Sequence, residues 1–465
     1  MTSGRMLSML SPIAVALATA IGAPVKAIIP YSEARPLIDA FRAQLPAALR
    51  SAQTGELEFT WRDWVVRHDA AIRSRLHRGD EDSIVNLWLY GTTFTSRPRV
   101  TQQDIGRLGR DELEDLLLDR LDDLVDGIVS PGANEHLRFA RQVLKRAGIN
   151  PATEDGKERA RVYLVKLRER MLGENEQYRR TVRSAAQDSD AQLGAYATMF
   201  RDRGLSADTS INVDFAVDEA LNALKAHGSL TAGHVRRVAV IGPGLDFTDK
   251  AEGYDFYPPQ TIQPFALIDS LIRLGLAAPA DLRITTFDLS PRVNQHLAEA
   301  IQRARSGRSY VVHLPLSTND PEHQWHPDLV SYWRRFGDRI GQEVKGVALP
   351  AGAGSVRMRA VRIRPAVVTS IVPIDLNIVL ERLDALEPSD GFDLIVATNV
   401  LVYYDAFEQA LALANVSAML RPGGIFLTNY LVHPRSPMES AASVVTSVFW
   451  DRQRNGDTLF AYRRG

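Results

Sequence analysis

The chain has no cysteine among its 465 residues. Disulfides, thiolate zinc sites and a cysteine nucleophile are therefore excluded, and cysteine usage says nothing about the compartment. An excess of one charge is missing too: 55 basic residues stand against 56 acidic ones, for a net charge of −1. No polybasic face is implied, so phosphate-driven nucleic-acid binding is not expected. Past the N-terminus no apolar run is long enough to span a bilayer, and no internal repeat is visible. What is present is ordinary for a chain with a core, 45% hydrophobic and 24% charged residues, at a length that allows two to three domains.

The N-terminus reads two ways. Arg5 precedes an apolar, small-residue run from Met6 to Ile21, and Val25-Lys26-Ala27 has the look of a cleavage site. Residues 1–27 thus pattern as a signal peptide or anchor, which is the one route to a membrane in this chain. The alternative is a buried N-terminal helix or a start site placed too far upstream.

Residues 31–228 read as a helical domain. Asp111 to Val125 sets leucines at helical spacing with acids between them. Glu135 to Gly148 repeats the style and stops at a glycine, as does Glu158 to Leu172 before Gly173, and Asp214 to Ala226 follows a capping candidate, Asn212. Trp61 and Trp64 are expected to anchor helix packing.

From 235 to 465 the pattern changes. Strand candidates at Val235–Ile241, Leu282–Phe287, Ala366–Ile374, Phe392–Ala397 and Gly424–Tyr430 alternate with helix candidates at Gln263–Leu274, Pro291–Arg305 and Ala406–Leu420. Val445–Trp450 and Thr458–Tyr462, around Asn455-Gly456, read as a terminal hairpin. The fold class expected is α/β: a Rossmann-like, seven-stranded, mostly parallel sheet covered on both faces, with a C-terminal antiparallel hairpin at its edge.

Ligands in open sheets of this kind sit at the carboxyl ends of the strands, which directs attention to four places. Val238-Ala-Val-Ile-Gly-Pro-Gly-Leu-Asp-Phe247 runs a strand into a glycine turn. There Gly242 and Gly244 allow close backbone approach, or make a plain tight turn. Asp288 ends the second strand in Thr285-Thr-Phe-Asp-Leu289, able to accept from ribose hydroxyls or to cap the next helix. Asp375, in Val372-Pro-Ile-Asp-Leu376, is an acceptor for an adenine amino group or a turn residue. Asn399 ends Gly391-Phe-Asp-Leu-Ile-Val-Ala-Thr-Asn399, facing the cleft or capping a helix. Leu420-Arg-Pro-Gly-Gly-Ile-Phe426 is a structural turn before the fifth strand.

In this order the set resembles the class I S-adenosylmethionine-dependent methyltransferases, and Phe392-Asp-Leu-Ile-Val with Leu420-Arg-Pro-Gly-Gly is similar to their pattern. Ile284-Thr-Thr-Phe-Asp-Leu-Ser290, Thr398-Asn-Val-Leu-Val-Tyr-Tyr-Asp405 and Tyr332-Trp-Arg-Arg-Phe336 resemble the chemotaxis-receptor methyltransferase type. The resemblance implies S-adenosylmethionine as cofactor and a small-molecule or protein methyl acceptor. It implies cofactor contacts at Gly242, Gly244 and Asp246, at Asp288 and Leu289, at Asp375 and Leu376, and at Asn399, with Tyr403 near the transferred methyl. It favours the cytoplasm, where that cofactor is made. This chain departs from the pattern at Val240, where an acid is usual, at Asp246 in place of a small residue, and at Thr398 in place of arginine. An insert, Thr248–Gln263, separates the loop from its helix, and the helical half matches no such pattern.

A nicotinamide-dinucleotide fold is the competing reading of Gly-x-Gly. It expects a third glycine where this chain has Phe247 and a ribose acid roughly 20 residues on, whereas Asp288 lies much farther. A non-catalytic S-adenosylmethionine sensor or scaffold is the other alternative, motivated by Val240 and the altered loop. For catalysis, Tyr403, Tyr404 and Asp405 are the nearest base candidates, set against ordinary strand-to-helix packing. The insert's Tyr254-Asp-Phe-Tyr-Pro-Pro259 reads as a substrate-side lid or as a loop packed on the helical half. Val356 to Arg364, rich in arginine, reads as an exposed strand or hairpin with a solvated face, or as an anionic substrate patch. His313, His323 and His326 have poor metal-ligand spacing.

Overall fold

The computed structural model describes residues 25–53, 55–100, 107–185, 203–209, 211–248, 255–316, 325–349, 357–384, 390–432, 443–451 and 454–465. The strands are β1 (Lys26–Ile28), β2 (Arg237–Ile241), β3 (Arg283–Asp288), β4 (Tyr310–Pro315), β5 (Gly341–Val344), β6 (Met358–Ile363), β7 (Ile371–Asp375), β8 (Glu381–Leu383), β9 (Phe392–Ala397), β10 (Leu420–Thr428), β11 (Val444–Phe449) and β12 (Gly456–Arg463). The helices are α1 (Tyr31–Ala40), α2 (Ala47–Ser51), α3 (Leu57–Tyr90), α4 (Arg110–Val129), α5 (Glu135–Arg146), α6 (Glu154–Ala185), α7 (Asn212–Ala226), α8 (Gln263–Arg273), α9 (Pro291–Arg305), α10 (Pro327–Arg335), α11 (Pro365–Val368) and α12 (Ala406–Met419).

Seven strands form one sheet in the order β7-β3-β2-β9-β10-β12-β11. Every pairing from β7 to β10 is parallel, and β12 runs against both of its neighbours. The terminal hairpin is present, but its second strand joins the sheet. The reversed strand is therefore the penultimate one, and β11 at the edge runs with the rest. From β2 the parallel strands proceed outward in chain order in both directions, to β7 on one side and β10 on the other, so the switch point lies between β2 and β9.

Alternate residues of the central strands enter two cores. Val238, Val240, Leu394 and Val396 pack with α7, α8 and a smaller three-stranded sheet, β4-β6-β5. Ala239, Ile241, Ile395 and Ala397 pack with α12 and with Phe41, Trp61, Trp64 and Ile72 of the N-terminal half. Burial on both sides is what makes these strands nearly continuous apolar runs. Trp64 lies 5.2 Å from the Trp61 ring and 5.8 Å from Phe407 of α12, so the tryptophans fasten α3 to the sheet layer. A third core joins the C-terminal part of α3 to α4, α5 and α6 through residues such as Trp88, Leu124, Leu144 and Leu164. Local signals start these helices: Asn134 accepts from the backbone N–H groups of His136 and Leu137 at the head of α5, and Asp405 with Glu408 makes a capping box on α12.

Two expected strands differ. Ala366–Ile374 is not one strand: Pro365 opens a helical turn, α11, and β7 begins only at Ile371. Proline lacks the N–H a ladder needs, while its fixed φ suits a first helical position. The arginine-rich run, apart from residues 350–356 outside the described set, is only in part a solvated strand: Arg357, Arg362 and Arg364 are exposed. It forms β6, the middle strand of the small sheet. Arg359 is 6% exposed there, donating to Glu343 and Asp338 and to the carbonyls of Trp333 and Phe336.

At the N-terminus, residues 1–24 lie outside the described set. Lys26–Ile28 pairs antiparallel with Glu381–Leu383, so the expected cleavage site at Val25-Lys26-Ala27 falls within a paired strand. Among the described residues no helix is long and apolar enough to cross a membrane.

Candidate functional site

Where β2 ends, Gly242 and Gly244 adopt φ of +66° and +62°, values that favour glycine. Gly242 N–H donates to the Phe287 carbonyl at 2.8 Å, tying the turn to the end of β3. A Cβ on Gly242 would come within 2.6 Å of Val400 Cγ2, and one on Gly244 within 2.9 Å of the Ala207 carbonyl. The second contact arises because a segment from the helical half, residues 203–209, lies along the turn. Leu245 N–H donates to Ala207 O at 2.7 Å and Thr209 N–H to Leu245 O at 2.9 Å.

Asp288 ends β3 beside the turn. One carboxylate oxygen accepts from Ser290 N–H at 2.7 Å, and the carboxylate also accepts from Gly244 N–H. Burial nonetheless dominates and pushes its pKa up to about 6. Asn399 ends β9 with φ +59°, a conformation asparagine tolerates better than most residues. Its N–H donates to Asn429 Oδ1 at 2.9 Å and its Oδ1 accepts from Asn429 Nδ2 at 2.7 Å.

These strand ends open on a cavity of about 650 Å³, within the range typical of small-molecule sites. Gly242, Gly244, Asp288, Leu289, Leu376, Asn399 and Tyr403 all line it. Two expected residues do not. Asp246 is 1% exposed beneath the turn, where its backbone pairs with Gln260 and its carboxylate accepts from Gln260 Nε2 at 3.0 Å. The returning insert holds it there. Asp375 sits opposite Asp288 in register, but Arg73 of α3 takes its carboxylate in a two-point ion pair, at 2.8 and 3.1 Å.

Tyr403 follows β9 in a short 3-10 turn, Leu401–Tyr403. Burial pushes its phenol up to about 12, and the charges of Asp208 and Asp82 push the same way. Asp405, grouped with it as a base candidate, is committed to the N-terminus of α12, accepting from Phe407 N–H at 3.0 Å and Glu408 N–H at 2.9 Å.

The sequence reading missed the wall supplied by the helical half: Leu76, Asp82 and Asn86 of α3, Met171 of α6 and the segment 203–209. One signal was available, an isolated glycine inside a helical pattern. A Cβ on Gly79 would lie 1.9 Å from the Leu205 carbonyl, so that glycine marks where the segment crosses α3. Asp208 is fully enclosed and pairs with Arg292 at 2.9 Å. Arg292 in turn lies over the rings of Phe139 and Phe247, at 4.1 and 4.9 Å.

Residues 249–254 of the insert, with Tyr254, lie outside the described set. At Asp255 the insert is clamped to the helical half, as in the packed-loop alternative, and beyond it Tyr257 and Gln260 pack on the small sheet. Asp255 accepts from the N–H and hydroxyl of Thr92 (2.6 and 2.7 Å) and of Thr93 (3.2 and 2.5 Å). Tyr257 is 1% exposed and stacks on His313 at 6.0 Å. His326 caps α10, and His323 is outside the described set. Among the described residues no group of three potential ligands is placed to hold a metal ion.

No family model matches the chain, and no curated protein matches it. Solved structures with likeness to it include the N-methyltransferase NodS from Bradyrhizobium japonicum WM9, 15% identical over 54% of this chain and 96% of that one at a TM-score of 0.26. Magnesium protoporphyrin IX methyltransferase ChlM from Synechocystis PCC 6803, solved with bound SAM, is 12% identical over 55% and 81% at 0.25. The CurJ carbon methyltransferase is 12% identical over 93% and 99% at 0.24. At such TM-scores these likenesses carry no inference, and function must be argued from this chain's own residues.

Proposed function

We propose that the cavity binds S-adenosylmethionine and that the chain is an S-adenosylmethionine-dependent methyltransferase acting on a small-molecule or protein acceptor. One observation supports this above the rest: a positive-φ glycine turn, a strand-end carboxylate and apolar strand-end residues meet in one cavity at the switch point of the sheet. The cradle fits such a group sterically, because positive φ and close neighbours at Gly242 and Gly244 keep side chains out of the turn that lines the cavity. Gly242 and Gly244 would hold the methionyl part, Asp288 the ribose hydroxyls, and Leu289, Leu376 and Ile378 the flat faces of the base. Arg73 holds Asp375 and Asn429 holds the Asn399 amide oxygen, so neither is assigned a ligand contact. Similarity of the second- and fourth-strand motifs to the chemotaxis-receptor type supports methyl transfer. The helical half, which has no counterpart in that resemblance, leaves the acceptor unassigned.

When bound, the cofactor supplies an electrophilic methyl carbon on a sulfonium, with a neutral thioether as leaving group. The protein's contribution is then alignment, which in well-oriented systems is worth about 7–11 kcal/mol. The glycine turn and the 203–209 segment are cross-bonded, and Arg75 donates to the carbonyls of both Arg203 (3.1 Å) and Tyr403 (2.8 Å). The walls of the cavity on its two sides are thereby fixed to each other.

Isothermal titration tests the reading. The wild type should bind S-adenosylmethionine at micromolar strength, roughly −8 kcal/mol, and Asp288→Ala should lose about 2 kcal/mol of it as charge-assisted hydrogen bonds disappear. A wild type that ignores this ligand but binds a nicotinamide dinucleotide would sink the proposal.

A further inference from the structure

Three carboxylates line the cavity: Asp82, Asp208 and Asp288. Asp288 is spent on backbone N–H groups and, on the reading above, on the ribose. Asp208 is fully enclosed against Arg292. Asp82 differs from both. It lies on the α3 face that runs Leu76, Gly79, Asp82, Asn86, a spacing that keeps one side of a helix. Its Oδ1 accepts from Arg170 Nη2 of α6 at 2.5 Å, and its Oδ2 accepts no hydrogen bond among the described residues. Its side chain is 15% exposed. Around it stand Arg170 and Glu174 of α6, Glu81 of α3, Arg203 of the crossing segment, and the Tyr403 phenol.

Resting on the S-adenosylmethionine reading, we propose that Asp82 is the catalytic base, and that the acceptor is an amine or hydroxyl whose proton Asp82 Oδ2 removes. The acceptor's nitrogen or oxygen lone pair forms the new bond to the methyl carbon. The carbon–sulfur bond breaks with its electron pair staying on sulfur, and the N–H or O–H proton passes to the Asp82 carboxylate. A carboxylate acceptor would have no proton to give and would meet the like charge of Asp82. Tyr403 cannot fill the role, since its phenol stays protonated at neutral pH. Burial pushes Asp82 up to about 7, against the pull of Arg170, which is where a base working near neutrality is most effective.

The test compares two ligands that differ by one charge, cationic S-adenosylmethionine and neutral S-adenosylhomocysteine, on the full-length chain. As pH rises from 6 to 8 Asp82 ionises, and the affinity for the cation relative to the thioether should climb by about tenfold with its midpoint near 7. In Asp82→Asn the climb centred near 7 should be lost, leaving only the earlier rise that Asp288, raised to about 6, contributes. In Arg170→Gln the climb should move to higher pH, because a cation that favours ionised Asp82 is gone; this variant also serves if Asp82→Asn does not fold. A wild type with no climb centred near 7, or an Asp82→Asn variant that keeps that climb, overturns the proposal while both ligands bind. Failure of both ligands to bind overturns the cavity reading beneath it. Methyl-labelled cofactor given a cell extract should leave label stable to alkali, on nitrogen or as an ether. Label released by alkali as methanol, from a methyl ester, overturns the acceptor class.

Discussion

Asp288 shows what a single position reveals before and after folding is known. A carboxylate at the end of a strand is legible in the sequence, and so is the glycine turn beside it, because both are local. That Asp375 would be captured by Arg73, 302 positions earlier, is not local and could not be read. The Asn399–Asn429 amide pair is another long-range event of that kind. Burial of Asp288 has a measurable consequence. Its pKa is raised in the folded state to about 6 from an ordinary value of 3.8, so the stability it contributes is full below about pH 4 and is lost as pH rises through about 6. Asp288→Asn, which carries no charge, should therefore gain stability relative to the wild type between pH 4 and pH 7. Urea unfolding of the two proteins at both pH values checks this, and an unchanged difference would contradict it.

Among the elements, α3 joins the sheet layer to the helical core. Its first half clads the sheet through Trp61 and Trp64, its middle admits the 203–209 segment at Gly79, and its last turns enter the helical core through Ile84 and Trp88. Its hydrophobic pattern was weak in the sequence because different faces are buried along its length, so no single apolar stripe runs through it. The leucine pattern of α4 and the periodicity of α5 were legible because each faces one core. What fastens the end of α3 was not: Arg120 of α4, wholly buried, donates to the carbonyls of Trp88 (3.0 Å), Gly91 (2.7 Å), Arg97 (3.1 Å) and Pro98 (2.8 Å). Arg120→Met keeps the bulk and strands these acceptors, and should cost about 3 kcal/mol or more. The midpoint of urea unfolding reads this directly, and a loss well under 1 kcal/mol would show that the carbonyls find other partners.

For the whole molecule, a mostly parallel sheet follows from the alternation of strands and helices, which the sequence displayed; the strand order does not. Nor does the way the two halves are joined, since apolar spacing shows that a face is buried and not against what. Residues of α1 to α3 share a core with β2, β9 and α12, and α7 covers the opposite face. Residues 235–465 expressed alone should consequently lack a cooperative thermal transition and bind a hydrophobic dye, since both faces of the sheet would lose cladding. A sharp calorimetric transition from that fragment would refute the shared-core account. One further joint bears on ligands. Phe247, three residues past Gly244, buries its ring among the residues of the helical core, and its carbonyl is held by His136 of α5. Any molecule gripped by the turn thereby tugs on a peg seated in the helices. Coupling of this sort is reciprocal, so occupancy should slow amide exchange along α5, and a change that loosens α5 should shorten the time a molecule stays bound.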